Sequence, residues 1–346
     1  MSVVCGVLAG LAGVSGLVLA QADQPAGGMD PAVRQFLLGA LISGGLVSVL
    51  LLATWWKAGA RQRAGTADGS PAAGANSAPP GGLTRHAVAP LAMGGAFVLC
   101  AHLLLGGLNW PPASADTWLP LAAVAAAVMG LTATAVRLPA AVRWVVRGVL
   151  VAALAYLSLR NFLGRQETLA AVGYVAGGTI WTLTTWWALE KLADRRTGAL
   201  APTVAWLLGV AVSQTVVLGL FALKGAVAAH VVAAAAGAAM LTAWLRPGFS
   251  LGFGGVHVPA VLLGLILLQA TALADLSVPH LRRVVFAGLL LGVPLAAVAA
   301  DRLLPARLTG WKRTGATVGL AGVPAAAALA WAGLERFAAA EESSGY

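Results

Sequence analysis

The fold of this chain is decided by stretches such as residues 257–276, which read HVPAVLLGLILLQATALADL. Asp275 is the only acidic or basic residue in this run apart from His257, and both lie at its ends. A membrane-spanning helix needs about 20 mostly apolar residues to cross a hydrocarbon core about 30 Å thick. Because backbone N–H and C=O groups cannot remain unpaired in lipid, such a run predicts a transmembrane α-helix.

The composition of the whole chain agrees with that stretch. Of its 346 residues, 59% are hydrophobic and only 10% are charged, and the mean hydropathy is +0.85. A soluble domain usually carries about 25% charged residues, so these charges are too few to cover the surface of a soluble protein. Disordered chains have low hydrophobicity. Both classes are excluded, and the composition predicts a polytopic membrane protein.

We predict an all-α fold, a polytopic transmembrane helix bundle with ten spans. The predicted spans are residues 33–56, 87–108, 118–137, 143–160, 168–190, 200–222, 226–246, 257–276, 283–301 and 313–337.

Three segments outside the ten predicted spans complete the organisation of the chain. Residues 1–22 are either a signal peptide or an eleventh span, because they end in Ala20-Gln21-Ala22 but lack a preceding Lys or Arg. Residues 57–86 are rich in Gly, Ala, Ser and Pro, which predicts a flexible cytoplasmic linker. A nine-helix body follows over 87–337, and a short acidic tail over 338–346.

The basic residues predict an orientation, since Lys and Arg accumulate on cytoplasmic loops. With residue 30 outside, fifteen of the 22 Lys and Arg residues fall on the inner side. This predicts a protein of the cell membrane, inner or plasma, with an extracytoplasmic C-terminus. The net charge of +10 then indicates anionic lipid as a partner at the cytoplasmic face. We expect Arg143 and Arg147 to extend toward such headgroups.

Small residues predict where helices pack closely in lipid. Glycines spaced four apart occur as Gly173 with Gly177, in the fifth predicted span, and as two further pairs. The further pairs are Gly288 with Gly292 and Gly315 with Gly319. Each pair predicts a close helix–helix contact. The alanine-rich span 226–246 is predicted to lie centrally, with several helices around it.

Polar side chains inside spans are the best pointers to function, because their burial is costly. No carboxylate lies near the centre of a predicted span, which argues against a proton- or sodium-coupled carrier. The candidate substrate-binding residues are His102, Trp181, Gln214, His230 and Gln269. The alternative is that these side chains each hydrogen-bond a neighbouring helix and bind no ligand.

Three functions remain open at this stage. The leading hypothesis is a permease-like transporter of a neutral or apolar small molecule. A non-transporting scaffold, or a subunit of a membrane complex with a membrane-protein partner, is the alternative. The third is a lipid-modifying enzyme using carboxylates in the Glu190–Asp194 or Asp301 regions.

Several other functions receive no support from the sequence. It contains no Walker, HExxH, CxxCH or GxSxG motif, and we predict no cofactor and no metal site. Nucleic-acid binding is not predicted, because the basic residues are divided among short loops.

Overall fold

The computed structural model describes the greater part of the chain. It covers residues 31–66, 82–104, 110–136, 138–193, 198–220, 222–245, 249, 251–274, 279–305, 308 and 310–344. The predicted signal peptide or first span, residues 1–22, lies outside the described residues.

The described residues form helices joined by short connections, and no strand occurs among them. The helices are α1 (Pro31–Thr66), α2 (Gly82–Leu104), α3 (Leu119–Ala135), α4 (Ala140–Leu163), α5 (Thr168–Ala193), α6 (Leu200–Gly219), α7 (Leu223–Leu245), α8 (Gly252–Gly255), α9 (His257–Leu273), α10 (His280–Leu303) and α11 (Gly310–Ser344). A 3₁₀ turn, Asp116–Trp118, precedes α3. Each of the ten predicted spans coincides with one helix.

Eight of these helices are long and apolar enough to cross a membrane. They are α1 to α4, α6, α7, α10 and α11. Helix α5 has the length but carries several Thr, Gly and Trp residues, which lower its hydropathy. Helix α9 is apolar but has only 17 residues. The protein is therefore an all-helical, multi-pass membrane protein.

Two helices extend past the C-terminal ends of the spans predicted for them. Helix α1 continues through residue 66, into the predicted linker 57–86, and α2 begins at residue 82. Residues 67–81 lie outside the described residues. Helix α11 likewise runs through most of the predicted tail and ends at Ser344. Both extensions are rich in Ala, with Arg and Gln in the first and Glu in the second, and these residues favour helix.

Helix α9 occupies the centre of the bundle. Fifteen of its 17 residues are buried, and it contacts α2 to α8 and α10. A helix that is apolar on every side is typical of a fully enclosed position. Helix α7, the predicted central span, packs against α1, α2, α6 and α9. Several helices therefore do pack around α7, as its small residues predict, but α9 is the more enclosed of the two.

The one-turn helix α8 packs against α2 and α3 just before the chain enters α9. Its closest approach to α3 is between Gly254 and Gly130. A Cβ on Gly254 would lie 2.7 Å from the Gly130 carbonyl oxygen, and one on Gly130 would lie 2.5 Å from the Gly254 carbonyl oxygen. Only glycine at both positions allows the two backbones to meet, which fixes α8 against α3.

The three glycine pairs mostly do not form the close contacts that their spacing predicts. A Cβ added to Gly173, Gly177, Gly288, Gly315 or Gly319 would meet no atom of the described residues within 4 Å. Gly292 is the exception, with Pro324 of α11 at 3.1 Å. The four-residue spacing places two glycines on one helix face, but it does not supply a partner for that face.

Candidate functional site

A cavity of about 440 Å³ lies between α5, α9 and α10. Helix α5 contributes Gly173, Tyr174, Gly177 and Trp181 to its wall. Leucines of α9 and small apolar residues of α10 form the opposite sides. The surface of the cavity is therefore almost entirely apolar.

Glycine on α5 creates much of this space. Both Gly173 and Gly177 line the cavity, and a Cβ added at either position would meet no atom of the described part of the chain within 4 Å. Tyr174 is held beside them by an edge-to-face contact with Phe162 of α4, with ring centroids 5.2 Å apart. The glycine pair that suggested helix packing thus lines an open space.

The two ends of the cavity differ in chemistry. His280 and Arg283, near the start of α10, line one end. The Arg283 guanidinium donates from Nη1 to the backbone oxygen of Thr271 on α9, at 3.0 Å. At the other end Thr182 packs against the bare backbone of Gly264. One end is therefore cationic, and the other is closed by helix packing.

Trp181 stands at the closed end and ties two of the three helices together. Its indole Nε1 donates a hydrogen bond to the backbone oxygen of Ala287 on α10, at 2.9 Å. The ring is buried and lines the cavity. This bond fixes the orientation of the largest aromatic surface available to a ligand.

A second polar feature, the ion-pair cluster, consists of Trp144, Arg147, Trp186, Glu190 and His257. Arg147 on α4 binds Glu190 on α5 through both guanidinium nitrogens, and one of these bonds, from Nη1 to Oε2, is 2.8 Å long. The guanidinium carbon lies 4.8 Å from the Trp144 ring centroid and 4.5 Å from that of Trp186. His257 Nε2 of α9 lies 3.4 Å from Arg147 Nη2.

The cluster is shielded from solvent, which corrects the prediction for Arg147. Arg147 is 1% exposed and Glu190 is 6% exposed, so the Arg147 side chain does not extend to the protein surface. A buried arginine is tolerated when a carboxylate and aromatic faces surround it. Removing one partner of such a pair costs about 3–5 kcal/mol, because the other charge is left uncompensated. The cluster therefore holds α4, α5 and α9 together.

The cavity and the ion-pair cluster follow one another along the same two helices. Nine residues of α5 separate Trp181 from Glu190, which is about 13 Å at 1.5 Å per residue. On α9, His257 precedes Gly264 by about 10 Å. The Thr182–Gly264 contact lies between them. The cluster thus fills the part of the α5–α9 interface that lies beyond the closed end of the cavity.

The five residues predicted as a binding site have different neighbours. Gln269 donates from Nε2 to the backbone oxygen of Ala115, at 2.9 Å. The His230 ring packs edge-to-face on Phe36 of α1, with centroids 5.2 Å apart. His102 is exposed on α2. The other two of the five are Gln214 and Trp181.

Gln214 is half-buried on α6, and its Oε1 accepts no hydrogen bond within the described part of the chain. Trp181 is the member of the five that lines the cavity. The described contacts join no two of the five, so the five-residue site stays a prediction.

The remaining carboxylates with described partners also pair with basic residues. Asp301 at the end of α10 accepts from Arg313 Nε of α11 at 3.1 Å. Asp116 accepts from Lys224 Nζ at 3.2 Å. Within the described ranges, no three His, Cys, Asp or Glu residues come together as a possible metal site. Asp301 and Glu190, two of the carboxylates considered for lipid chemistry, are both bound to arginine. The third, Asp194, lies outside the described residues.

Sequence reasoning missed the ion-pair cluster. Arg147 and Glu190 are 43 positions apart, and Arg147 and His257 are 110 apart, so no local motif joins them. The predicted span 143–160 places Arg147 only one turn from its end, whereas helix α4 begins three residues earlier, at Ala140. Comparison with protein-family models, curated proteins and solved structures finds no match to this chain.

Proposed function

We propose that the protein is permease-like and binds a small neutral or apolar molecule in the cavity between α5, α9 and α10. The observation that carries this proposal is the cavity itself, about 440 Å³ with apolar walls and one aromatic end. Small-molecule sites are concave, mostly apolar and about 300–1,000 Å³ in volume. A buried tryptophan with a fixed orientation supplies a flat surface for such a ligand.

In this proposal the chain crosses the bilayer ten times, with α5 and α9 as spans. Helix α5 has 26 residues, ample for a crossing. Helix α9 has 17 residues, at the lower end of the range of about 17–25. The distribution of Lys and Arg then supports a cell-membrane protein with its C-terminus outside. Anionic lipid is the proposed partner at the cytoplasmic face.

This orientation supports an alternating route for the ligand. The starts of α5 and α10 face outward, so the cavity opens in the outer half of the membrane. The Thr182–Gly264 contact and the ion-pair cluster close the inner half. Release to the inside would then require α5 to separate from α9.

Photolabelling with adamantyl diazirine, a small apolar probe, tests the binding site in lipid nanodiscs. We expect labelled peptides from α5 and α10, and a several-fold loss of that labelling in Gly177→Leu. Gly288→Leu is the matched control, since a side chain at either glycine enters open space. Cavity peptides labelled equally in all three proteins would overturn the proposal.

The five-residue site is tested in the same assay. Alanine is introduced at Gln214 and at His230, which do not line the cavity. We expect these variants to label like the unmodified protein. Labelling that falls in them, and is retained in Gly177→Leu, would move the site to α6 and α7.

A scaffold or complex subunit is the second candidate. The observation in its favour is that a Cβ added to Gly288 of α10, or to Gly315 or Gly319 of α11, would meet no atom within 4 Å. Small-residue faces of this kind allow a partner helix to approach closely. Purification in a mild detergent distinguishes the candidates, because a stoichiometric membrane-protein partner favours the scaffold.

A further inference from the structure

The cavity opens through the side of the helix bundle, between α5 and α10. Gly173 and Gly177 line the cavity from α5, and both are exposed at the protein surface. Val284 lines it from α10 and is 67% exposed. These three residues therefore face both the cavity and the exterior of the bundle. They define a side opening that leads from the cavity to the outer surface of the two helices.

The two helices are joined at one level and separated at the next. At the closed end of the cavity, the Trp181 indole donates to the backbone oxygen of Ala287 at 2.9 Å, which links α5 to α10. One turn earlier on α5, a Cβ added at Gly177 would meet no atom of the described residues within 4 Å. Glycine has no side chain to reach across, so the side opening begins where the tryptophan link ends.

The depth of the side opening places it beside the acyl chains of the bilayer. Val284 lies four residues from the start of α10, and Gly177 lies nine residues from the start of α5. At 1.5 Å per residue these positions are about 6 and 14 Å along the helices. The headgroup region of one leaflet is about 5–8 Å thick. With both helices starting at the outer surface, the opening runs from the base of the headgroups into the hydrocarbon core.

The chemistry of this route suits a ligand that is already dissolved in lipid. An apolar molecule is enriched in lipid over water, because the transfer of apolar surface out of water is favourable. On its way from lipid into the cavity, such a molecule passes Gly173, Gly177 and Val284 and reaches the Trp181 ring. The route from lipid is therefore apolar along its length and does not require the ligand to return to water.

We propose that the cavity takes its ligand directly from the outer leaflet, through the side opening between α5 and α10. The ligand is a lipid-soluble small molecule that resides in the bilayer before it binds. Val284 stands at the entrance, and Trp181 supplies the surface against which the ligand rests. This inference rests on the proposed function, since it uses the same cavity. It adds the source of the ligand and the route by which it enters.

Quenching of Trp181 fluorescence separates a lipid route from a water route. Phosphatidylcholine brominated near the ends of its acyl chains quenches tryptophan that lipid contacts, and aqueous iodide quenches tryptophan that water contacts. Because the chain has 12 tryptophans, the signal of Trp181 is the difference between the unmodified protein and Trp181→Phe in nanodiscs. We expect the brominated lipid to quench this signal and iodide to leave it unchanged. Saturating adamantane, a small apolar ligand, should relieve the quenching by displacing the lipid chain.

Two variants locate the entrance. Val284→Phe narrows the side opening and should reduce quenching of Trp181 by the brominated lipid several-fold. Leu281→Phe is the matched control, because Leu281 lies one turn earlier on α10, is 76% exposed and is not part of the cavity wall. Should Trp181→Phe fail to fold, a nitroxide on Gly177→Cys in a cysteine-free background makes the same comparison. We expect it to collide more often with oxygen, which concentrates in lipid, than with a water-soluble nickel chelate.

The outcomes separate this inference from the proposed function. Quenching of Trp181 by iodide and not by brominated lipid would reject the lipid route and leave a cavity that fills from water. Quenching by brominated lipid that adamantane does not relieve would also overturn the inference, because the space would then hold bulk lipid only. Equal quenching in Val284→Phe and Leu281→Phe would reject Val284 as the entrance. Adamantyl diazirine labelling that is insensitive to Gly177→Leu would instead reject the cavity as the binding site, whichever quencher reaches Trp181.

Discussion

Replacement of Glu190 by glutamine tests the role of the ion-pair cluster most directly. Glutamine has nearly the shape of glutamate but no charge. Both guanidinium nitrogens of Arg147 that bind Glu190 would then face a neutral amide. Arginine is not deprotonated in proteins, so the variant leaves a charge buried at 1% exposure without its carboxylate.

The expected loss is about 3–5 kcal/mol in the free energy of unfolding, the cost of breaking a buried pair on one side. A matched control is Lys224→Met, which removes the pair with Asp116. Lys224 is 72% exposed, and an exposed ion pair contributes about 0–1 kcal/mol. Each variant removes one ion pair, so the difference between their losses in the free energy of unfolding measures the effect of burial.

The free energy of unfolding is measured by titrating sodium dodecyl sulfate into dodecyl maltoside micelles and following tryptophan fluorescence. The double variant Arg147→Met/Glu190→Leu should regain most of the loss, because apolar residues of similar volume replace a buried pair at little cost. A Glu190→Gln protein within about 1 kcal/mol of the unmodified one would refute the reasoning. A double variant as unstable as the single one would assign the loss to packing instead of charge.

Three further predictions concern packing and topology. Gly254→Ala should lower stability by about 1–3 kcal/mol, because its Cβ would lie 2.7 Å from the Gly130 oxygen, whereas Gly288→Ala should leave stability unchanged. The fraction of each variant that remains monodisperse after heating is measured by size-exclusion chromatography, and equal fractions for the two variants would contradict the close approach. Ser213→Ala removes the 2.9 Å bond from Oγ to the Ala226 oxygen and should cost about 0.5–1.5 kcal/mol in the same detergent titration; no change there would show that the bond contributes nothing net. Green fluorescent protein fused to the C-terminus should not fluoresce, and alkaline phosphatase fused at the same point should be active. A fluorescent fusion would contradict the proposed orientation.

The apolar helices could be located from the sequence because an apolar run in lipid must satisfy its own backbone hydrogen bonds. Boundaries were harder, as α1 and α11 show. Both continue into segments predicted to be linker and tail, since Ala-rich sequence propagates a helix whether or not it lies in the membrane.

The candidate site was predicted only through Trp181. Polar residues were selected because burial in lipid is costly, and three of them instead bond or pack locally: Gln269 on Ala115, His230 on Phe36 and Trp181 on Ala287. Such local partners satisfy the same physical requirement that a ligand would. The type of a residue and its depth in a span therefore do not distinguish a side chain that binds a ligand from one that bonds to a neighbouring helix.

By itself, the sequence determined the fold class, the approximate positions of the long apolar helices and the exclusion of soluble and disordered states, since all three depend on composition and run length. Only the tertiary structure decided which surfaces meet. It placed α9 at the centre, left Gly173 and Gly177 facing a cavity, and brought Arg147 to Glu190 across 43 positions of chain. The physical reason is that apolar helices all prefer lipid or protein over water to a similar degree. Their arrangement depends on side-chain shape and on a few paired charges, which act between distant segments and leave no local pattern.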